Sequence, residues 1–214
     1  MIPEHTFLIV VQLVVLLFAV SFHESAHGFV AMKCGDNTAR DLGRITLNPL
    51  KHLDPLGSLF IPMMLAISGL PIFGWAKPVP VSLRDVRNPR RANLLVSAAG
   101  PVSNLILAVA SAAVLLILGP VQDHKSVAFA VAQIAFASFL VNIALAVFNL
   151  LPLPPLDGFG VLESLLPARL LRVTMWLRRF GFIILIVLMM SGFLSPLLIS
   201  ANRFFQRLLL GGLL

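Results

Sequence analysis

Ser21-Phe22-His23-Glu24-Ser25-Ala26-His27-Gly28 ends the first long apolar run of the chain and reads H-E-x-x-H. On a helix, the fourfold spacing sets His23 and His27 one turn apart on the same face. Two imidazoles so placed can share one Zn²⁺, and Glu24 between them can act as general base toward water at the site. What precedes the motif is unusual for such chemistry: Phe7 to Val20 is apolar except for Gln12. Three ionisable side chains on a lipid-length helix are expensive, and groups kept at that cost mark function. The competing reading of the motif by itself is a chance match, with histidines merely snorkelling at a helix end. A third ligand has to come from elsewhere in the chain.

The composition supports a membrane setting. Of 214 residues, 58% are hydrophobic and only 12% charged, and the mean hydropathy is +0.96. These values place the chain among multispanning membrane proteins. The formal charge is +7, but the lysines and arginines fall between the apolar runs. That distribution suits a cytoplasmic lipid surface and gives no nucleic-acid stripe. The single cysteine, Cys34, rules out an intramolecular disulfide framework and a cysteine zinc site, and reads as a small buried residue. Met1 to His5 has no Lys or Arg and no small-residue cleavage pattern follows, so the first run is not expected to be a secretory signal peptide.

Phe7 to about Met32 is long enough to cross roughly 30 Å of hydrocarbon and ends at Lys33 and the turn residues Cys34-Gly35-Asp36-Asn37. Gly43-Arg44-Ile45-Thr46-Leu47 alternates polar and apolar side chains, which predicts a short strand or hairpin at the membrane face. His52, flanked by Lys51 and Asp54, reads as an interfacial surface histidine and not as a ligand. Leu59 to Leu70 is apolar but short, with Pro62 and Gly69 inside it; basic residues flank it on both sides, which predicts a re-entrant segment. Gly74 to Val81 carries Pro78 and Pro80 and is expected to be extended, with Trp75 as an interfacial anchor. Ala92 to Gly119 and Val127 to Leu151 are the next two spans, joined by a short turn on the non-cytoplasmic side. After a basic stretch, Phe180 to about Leu194 begins another apolar run. The tail from Asn202 reads as an amphipathic surface helix or a second half-span.

Asp157 is the candidate third ligand. It is the only acidic residue between Asp123 and Glu163, and prolines 152, 154 and 155 break the apolar helix before it. The charge pattern runs the first span and the Val127 span in the same direction, so both bring their polar residues to the cytoplasmic side at similar depth. A turn aspartate before glycine is common in soluble loops, but beside a membrane H-E-x-x-H the ligand reading is the stronger.

His23-Glu24-x-x-His27, Ala99-Gly100-Pro101-x-x-Asn104 and Asn149-x-x-Pro152-x-Pro154-x-Leu156-Asp157-Gly158, in that order on three full spans, resemble the site-2 protease family of intramembrane zinc metalloproteases. The resemblance covers about residues 7 to 165 and fits the small members without PDZ or CBS domains; Gly74 to Val81 also looks like that group's G-x-x-x-P-x-P loop. It implies one Zn²⁺ held by His23, His27 and Asp157, with Glu24 as catalytic acid/base. Asn104 is the candidate donor to the developing oxyanion, with an interhelical hydrogen bond as its alternative role. Asn142 and Asn149 read as structural or supporting.

The expected fold is therefore an all-α polytopic bundle of about four to six transmembrane or re-entrant helices with a short β-hairpin or edge strand at the membrane face. It forms one domain over residues 1–214, with a catalytic core near 7–165 and C-terminal helices from 166. An edge at Arg44–Leu47 or Val79–Leu83 is expected to pair with an unwound substrate. The implied partners are single-span membrane proteins or leftover signal peptides and the lipid bilayer; the implied location is a bacterial or archaeal cytoplasmic membrane, with the site toward the cytoplasm. A catalytically inactive metal-binding scaffold or a zinc carrier is the alternative, although a carrier gives Glu24 no reason to stand between the histidines.

Overall fold

The computed structural model describes residues 4–68, 74–123 and 125–211. Its helices are α1 (Glu4–Lys33), α2 (Thr38–Asp41), α3 (Ile61–Ile67), α4 (Pro89–Leu118), α5 (Val127–Asn149), α6 (Asp157–Leu165), α7 (Leu171–Met190) and α8 (Leu194–Leu210). Four of them are long and apolar enough to cross a membrane: α1 from Val10, α4, α5 and α7. Their outward faces carry large apolar side chains such as Leu13, Val14, Ile106, Ile117, Ile183 and Met190. Such a belt is tolerable only against lipid.

The helix starts follow local chemistry. Asn88 caps α4 by accepting from the Arg91 N–H at 3.1 Å, and Ser126 caps α5 by accepting from the Phe129 N–H at 3.2 Å. Both helices reach full span length because no charged residue interrupts them after the first turn of α4. Inside a membrane, lipid tails are as apolar as leucine, so close approach and hydrogen bonding must hold the bundle together. The α4 face toward α5 is accordingly built from small residues, with Ala108 and Ala112 packed on Phe139 and Ile143. Serine hydroxyls bridge the same seam: Ser111 donates to Ser138 at 2.9 Å.

The C-terminal tail resolves into α8, which lays Phe205, Leu209 and Leu210 onto that α4/α5 cluster. It is a docked helix of 17 residues and is not among those of span length. The segment expected to be re-entrant begins with a π-helical run, Pro55–Phe60, that continues directly into α3. Asp54 caps the run, accepting from the Gly57 N–H at 2.7 Å. Thirteen residues at helical rise reach only about 20 Å, short of a crossing; residues 69 and 70 lie outside the described part.

The expected β-hairpin or edge strand is not found: among the described residues there is no strand. Residues 43–48 form a turn and bends, and 74–82 form neither helix nor ladder. Pro78 and Pro80 have no N–H, so one edge of a ladder is missing every second donor. The two segments meet through a side chain instead, with Arg44 Nη2 donating to the Lys77 carbonyl at 2.9 Å. His52 also differs from expectation. It is 2% exposed, and its Nε2 donates to the Thr46 carbonyl at 2.8 Å. Ser25 of α1 donates to the same carbonyl at 2.6 Å, so Ser25 fastens the 44–48 loop to the first span while the buried histidine braces that loop from behind.

Asp36 joins the end of α1 to the segment before α4. Its carboxylate accepts from Thr38 N–H at 2.9 Å and Thr38 Oγ1 at 2.5 Å, and from Ser82 N–H at 2.5 Å. Burial pushes its pKa up, but these bonds outweigh burial and hold it below the ordinary aspartate value. A lowered folded-state pKa stabilises fully above the unfolded value, and the contribution is lost as pH falls through the folded one. Asp36→Ala is therefore expected to lower the melting temperature in detergent, equivalent to about 1–3 kcal/mol. The difference from wild type should be present at neutral pH and shrink below about pH 4, which melting curves across that range will check.

Candidate metal centre

His23 and His27 stand on consecutive turns of α1 and point at α4, where Gly100 leaves room for them. A Cβ on Gly100 would lie 2.4 Å from His27 Nε2 and 2.5 Å from His23 Nε2. The third residue arrives from α6. After α5 ends, the proline segment brings Asp157 in as the first residue of α6. The chain doubles back so tightly there that a Cβ on Gly158 would lie 2.2 Å from the Leu150 carbonyl oxygen, which is why glycine follows the aspartate.

The polar residues of α4 fix α6 in place. Arg90 donates to the Ser164 carbonyl at 2.6 Å and the Leu166 carbonyl at 2.8 Å, satisfying the end of α6. Asn93 donates to the Gly160 carbonyl at 3.1 Å and Ser164 Oγ at 2.8 Å. From the other side, Arg178 of α7 holds Glu163 in a two-point pair at 2.9 and 2.6 Å. In the sequence Asn93 is marked only by polarity at the start of an apolar run, and Arg90, Glu163 and Arg178 only by lying in the charged stretches beside one.

The two imidazole nitrogens and the Asp157 carboxylate close a triangle in which each nitrogen faces a different carboxylate oxygen, and one donor atom from each residue lies within 4.8 Å of the others. His23 Nε2 and His27 Nε2 are 3.1 Å apart; His23 Nε2 to Asp157 Oδ2 is 3.1 Å and His27 Nε2 to Asp157 Oδ1 is 3.3 Å. Ligands each about 2.05 Å from a tetrahedral ion stand about 3.3 Å apart. The tautomers point the same way. His23 Nδ1 is 2.6 Å from Asn104 Oδ1 and His27 Nδ1 is 2.7 Å from the Val96 carbonyl oxygen. Both partners can only accept, so both Nδ1 atoms donate and both Nε2 lone pairs face inward. Two lone pairs and a carboxylate at such distances repel unless a cation sits among them. The residues fit zinc, and this is the one cluster of three or more potential ligands among the described residues.

Asn104 does not face the cavity. It is fully buried, and its Nδ2 donates to Asn142 Oδ1 at 2.8 Å and to the Ala19 carbonyl at 3.5 Å. Asn142 in turn donates to the Ser138 carbonyl at 2.9 Å. This row of amides is oriented from one end by a carbonyl and presents an acceptor to His23 at the other. The oxyanion role expected for Asn104 therefore has no free donor behind it. Of asparagines 104, 142 and 149, only Asn149 borders the cavity. Asn104→Ala removes the acceptor for His23 and orphans Asn142. Zinc affinity is expected to fall about 10–100-fold, read by chelator competition, with the melting temperature of the metal-free protein as the control for folding.

Glu24 borders the same cavity of about 1030 Å³, together with Trp75, Val79, Phe148 and Leu185. The Val79 N–H donates to Glu24 Oε2 at 2.8 Å. That backbone contact orients the carboxylate, and nothing in the sequence marks it.

A profile of peptidase family M50 matches residues 11–135 and 117–188. YwhC of Bacillus subtilis, named as a candidate zinc metalloprotease, is 42% identical over 186 residues, 86% of this chain and 80% of its own. Rip2 of Mycolicibacterium smegmatis, named likewise, is 38% identical over 182 residues, 84% of this chain and 66% of its own. Rip2 of Mycobacterium tuberculosis is 37% identical over 184 residues, 85% and 66% of the two chains. No solved structure matches. A match of that extent, over the helices that carry the His-His-Asp triangle, makes this chain a member of peptidase family M50, the site-2 protease family.

Proposed function

We propose that this metallopeptidase is an intramembrane zinc endopeptidase. It hydrolyses peptide bonds within or beside the transmembrane segments of single-span membrane proteins, including leftover signal peptides, with its site toward the cytoplasm. The observation that carries the reading is the His23–His27–Asp157 triangle, built on helices of membrane-crossing length with Glu24 on the wall of the same cavity.

His23, His27 and Asp157 would hold the zinc, which would supply a water of lowered pKa and Lewis-acid polarisation of a carbonyl. Glu24 takes the proton of the attacking water and returns it to the leaving amine. The Val79 N–H keeps the carboxylate aimed while it does so. Asn104 and the Val96 carbonyl hold both imidazoles in the tautomer that leaves Nε2 free. A bond inside a substrate helix has its carbonyl already hydrogen-bonded, so the substrate must unwind locally, at a cost of several kcal/mol per freed group in lipid. The orientation is supported by charge. Lys33, Arg40, Arg44, Lys51, Lys77, Arg84 and Arg87 all lie on the connections at the Lys33 end of α1, whereas the α4–α5 turn has Lys125 and Asp123.

The test is cleavage of a panel of single-span proteins in proteoliposomes, with products mapped by mass spectrometry. Cuts within or next to the apolar segment, abolished by a zinc chelator and restored by Zn²⁺, are expected. Cuts confined to water-exposed loops would refute the intramembrane assignment.

A further inference from the structure

A furrow runs along the seam between α1 and α4, on the flank away from Glu24. At its mouth is a cavity of about 470 Å³ bordered by Lys33, Arg87, Asn88, Arg91 and Leu95. Beneath it, a second cavity of about 520 Å³ is bordered by Phe22, Ala26 and Phe29 of α1 and Ala99, Val102 and Ile106 of α4. The two are stacked on one line. Residues 91, 95, 99, 102 and 106 recur at spacings of four, four, three and four, as do 22, 26, 29 and 33, so each set is a single helical stripe. Phe29 joins the compartments: it borders the lower one, while Lys33 Nζ rests 5.3 Å from its ring centre.

The upper cavity is cationic and uncompensated. Among the described residues no acid pairs with Lys33, Arg87 or Arg91. Asp36, the nearby buried acid, has both oxygens occupied by Thr38 and Ser82. The lower cavity offers no free polar group from its serines, because Ser25 donates to the Thr46 carbonyl and Ser103 to the Gly100 carbonyl. From Leu95 to Ile106 is eleven residues, about 16 Å along the helix, which equals the hydrocarbon depth of one leaflet, about 15 Å.

We propose that this furrow is a binding site for one anionic phospholipid, its phosphate between Lys33, Arg87 and Arg91 and an acyl chain along Ala99, Val102 and Ile106. Charge selects the headgroup, since basic pockets at helix ends hold anionic headgroups. The apolar continuation selects a lipid over a free phosphate. The site shares its helices with the metal centre but none of its ligands, because His23, His27 and Gly100 occupy the other flank of the same seam.

The test is native mass spectrometry of the full chain in detergent, titrated with phosphatidylglycerol or phosphatidylcholine. One phosphatidylglycerol per chain is expected, bound at least about tenfold tighter than phosphatidylcholine. The combined variant Lys33→Gln, Arg87→Gln, Arg91→Gln should weaken it on the order of 100-fold. Arg169→Gln, Arg172→Gln, Arg179→Gln, which removes the same charge elsewhere, should not. Ala99→Trp, which fills the lower cavity, should also weaken binding. If the triple variant does not fold, Arg87→Gln alone, an exposed side chain without an ion-pair partner among the described residues, should still reduce affinity several-fold. Equal binding of both lipids, equal loss in the charge-matched control, or competition by millimolar inorganic phosphate as effective as by lipid would overturn the proposal.

Discussion

Glu24→Gln is expected to bind zinc as the wild type does and to hydrolyse peptide bonds about 10²–10⁴-fold more slowly. The substitution preserves shape, and the amide oxygen of glutamine can still accept from the Val79 N–H that now holds Oε2 at 2.8 Å. The triangle of His23, His27 and Asp157 does not include Glu24, so the metal has no reason to leave. What disappears is the carboxylate assigned to accept a proton from water and return it to the leaving amine. Zinc analysis of the purified variant beside its cleavage rate separates the two effects. A metal-binding scaffold or a zinc carrier would tolerate the change, so an unaltered rate in a zinc-loaded variant would remove the peptidase mechanism given to Glu24.

How much of this was legible in the sequence depends on which atoms carry each feature. Spans α1, α4 and α5 announce themselves by apolar length, and His23 and His27 by a fourfold spacing that only a helix turns into a shared face. Asp157 stands out because acids are nearly absent from the surrounding apolar stretch. Features made by the backbone or by the register between helices leave no such mark. The Val79 N–H on Glu24 belongs to a peptide group, which every residue but proline has. The Asn104–Asn142 contact depends on how α4 and α5 align, so each asparagine alone suits several roles. The strand expected at 43–47 rested on side-chain alternation, while the decisive fact was the missing donors at Pro78 and Pro80. His52 was misplaced because its charged neighbours describe the loop's surface, and its burial follows from a carbonyl, that of Thr46, which it shares with Ser25.

Gly100 illustrates the same point at the site itself and gives the second large effect. Its lack of a side chain is its contribution. Gly100→Ala is expected to lose both zinc and activity, with zinc per chain far below one and no measurable cleavage. The added Cβ would stand 2.4 Å from His27 Nε2 and 2.5 Å from His23 Nε2 and Cε1, in the space the ligand atoms face. Neither side can yield cheaply. The backbone there lies within α4, beside the buried Pro101, and each ring is tethered from behind, His23 by Asn104 at 2.6 Å and His27 by the Val96 carbonyl at 2.7 Å. Turning the rings aside breaks those bonds; moving α4 loosens its packing on α1. Overpacking of this kind costs about 1–3 kcal/mol, small enough for the folded protein to be purified and its metal content measured. Gly43→Ala is the matched control. Gly43 has φ +62° and nothing within 4 Å of its added Cβ, so alanine there strains the backbone without touching the site and should leave zinc bound. The contrast with Glu24→Gln is diagnostic, because one variant keeps the ion and loses proton transfer while the other loses the ion. Full zinc occupancy in Gly100→Ala would mean that the imidazoles reach the metal from a different direction, and the triangle described here would not be the binding geometry.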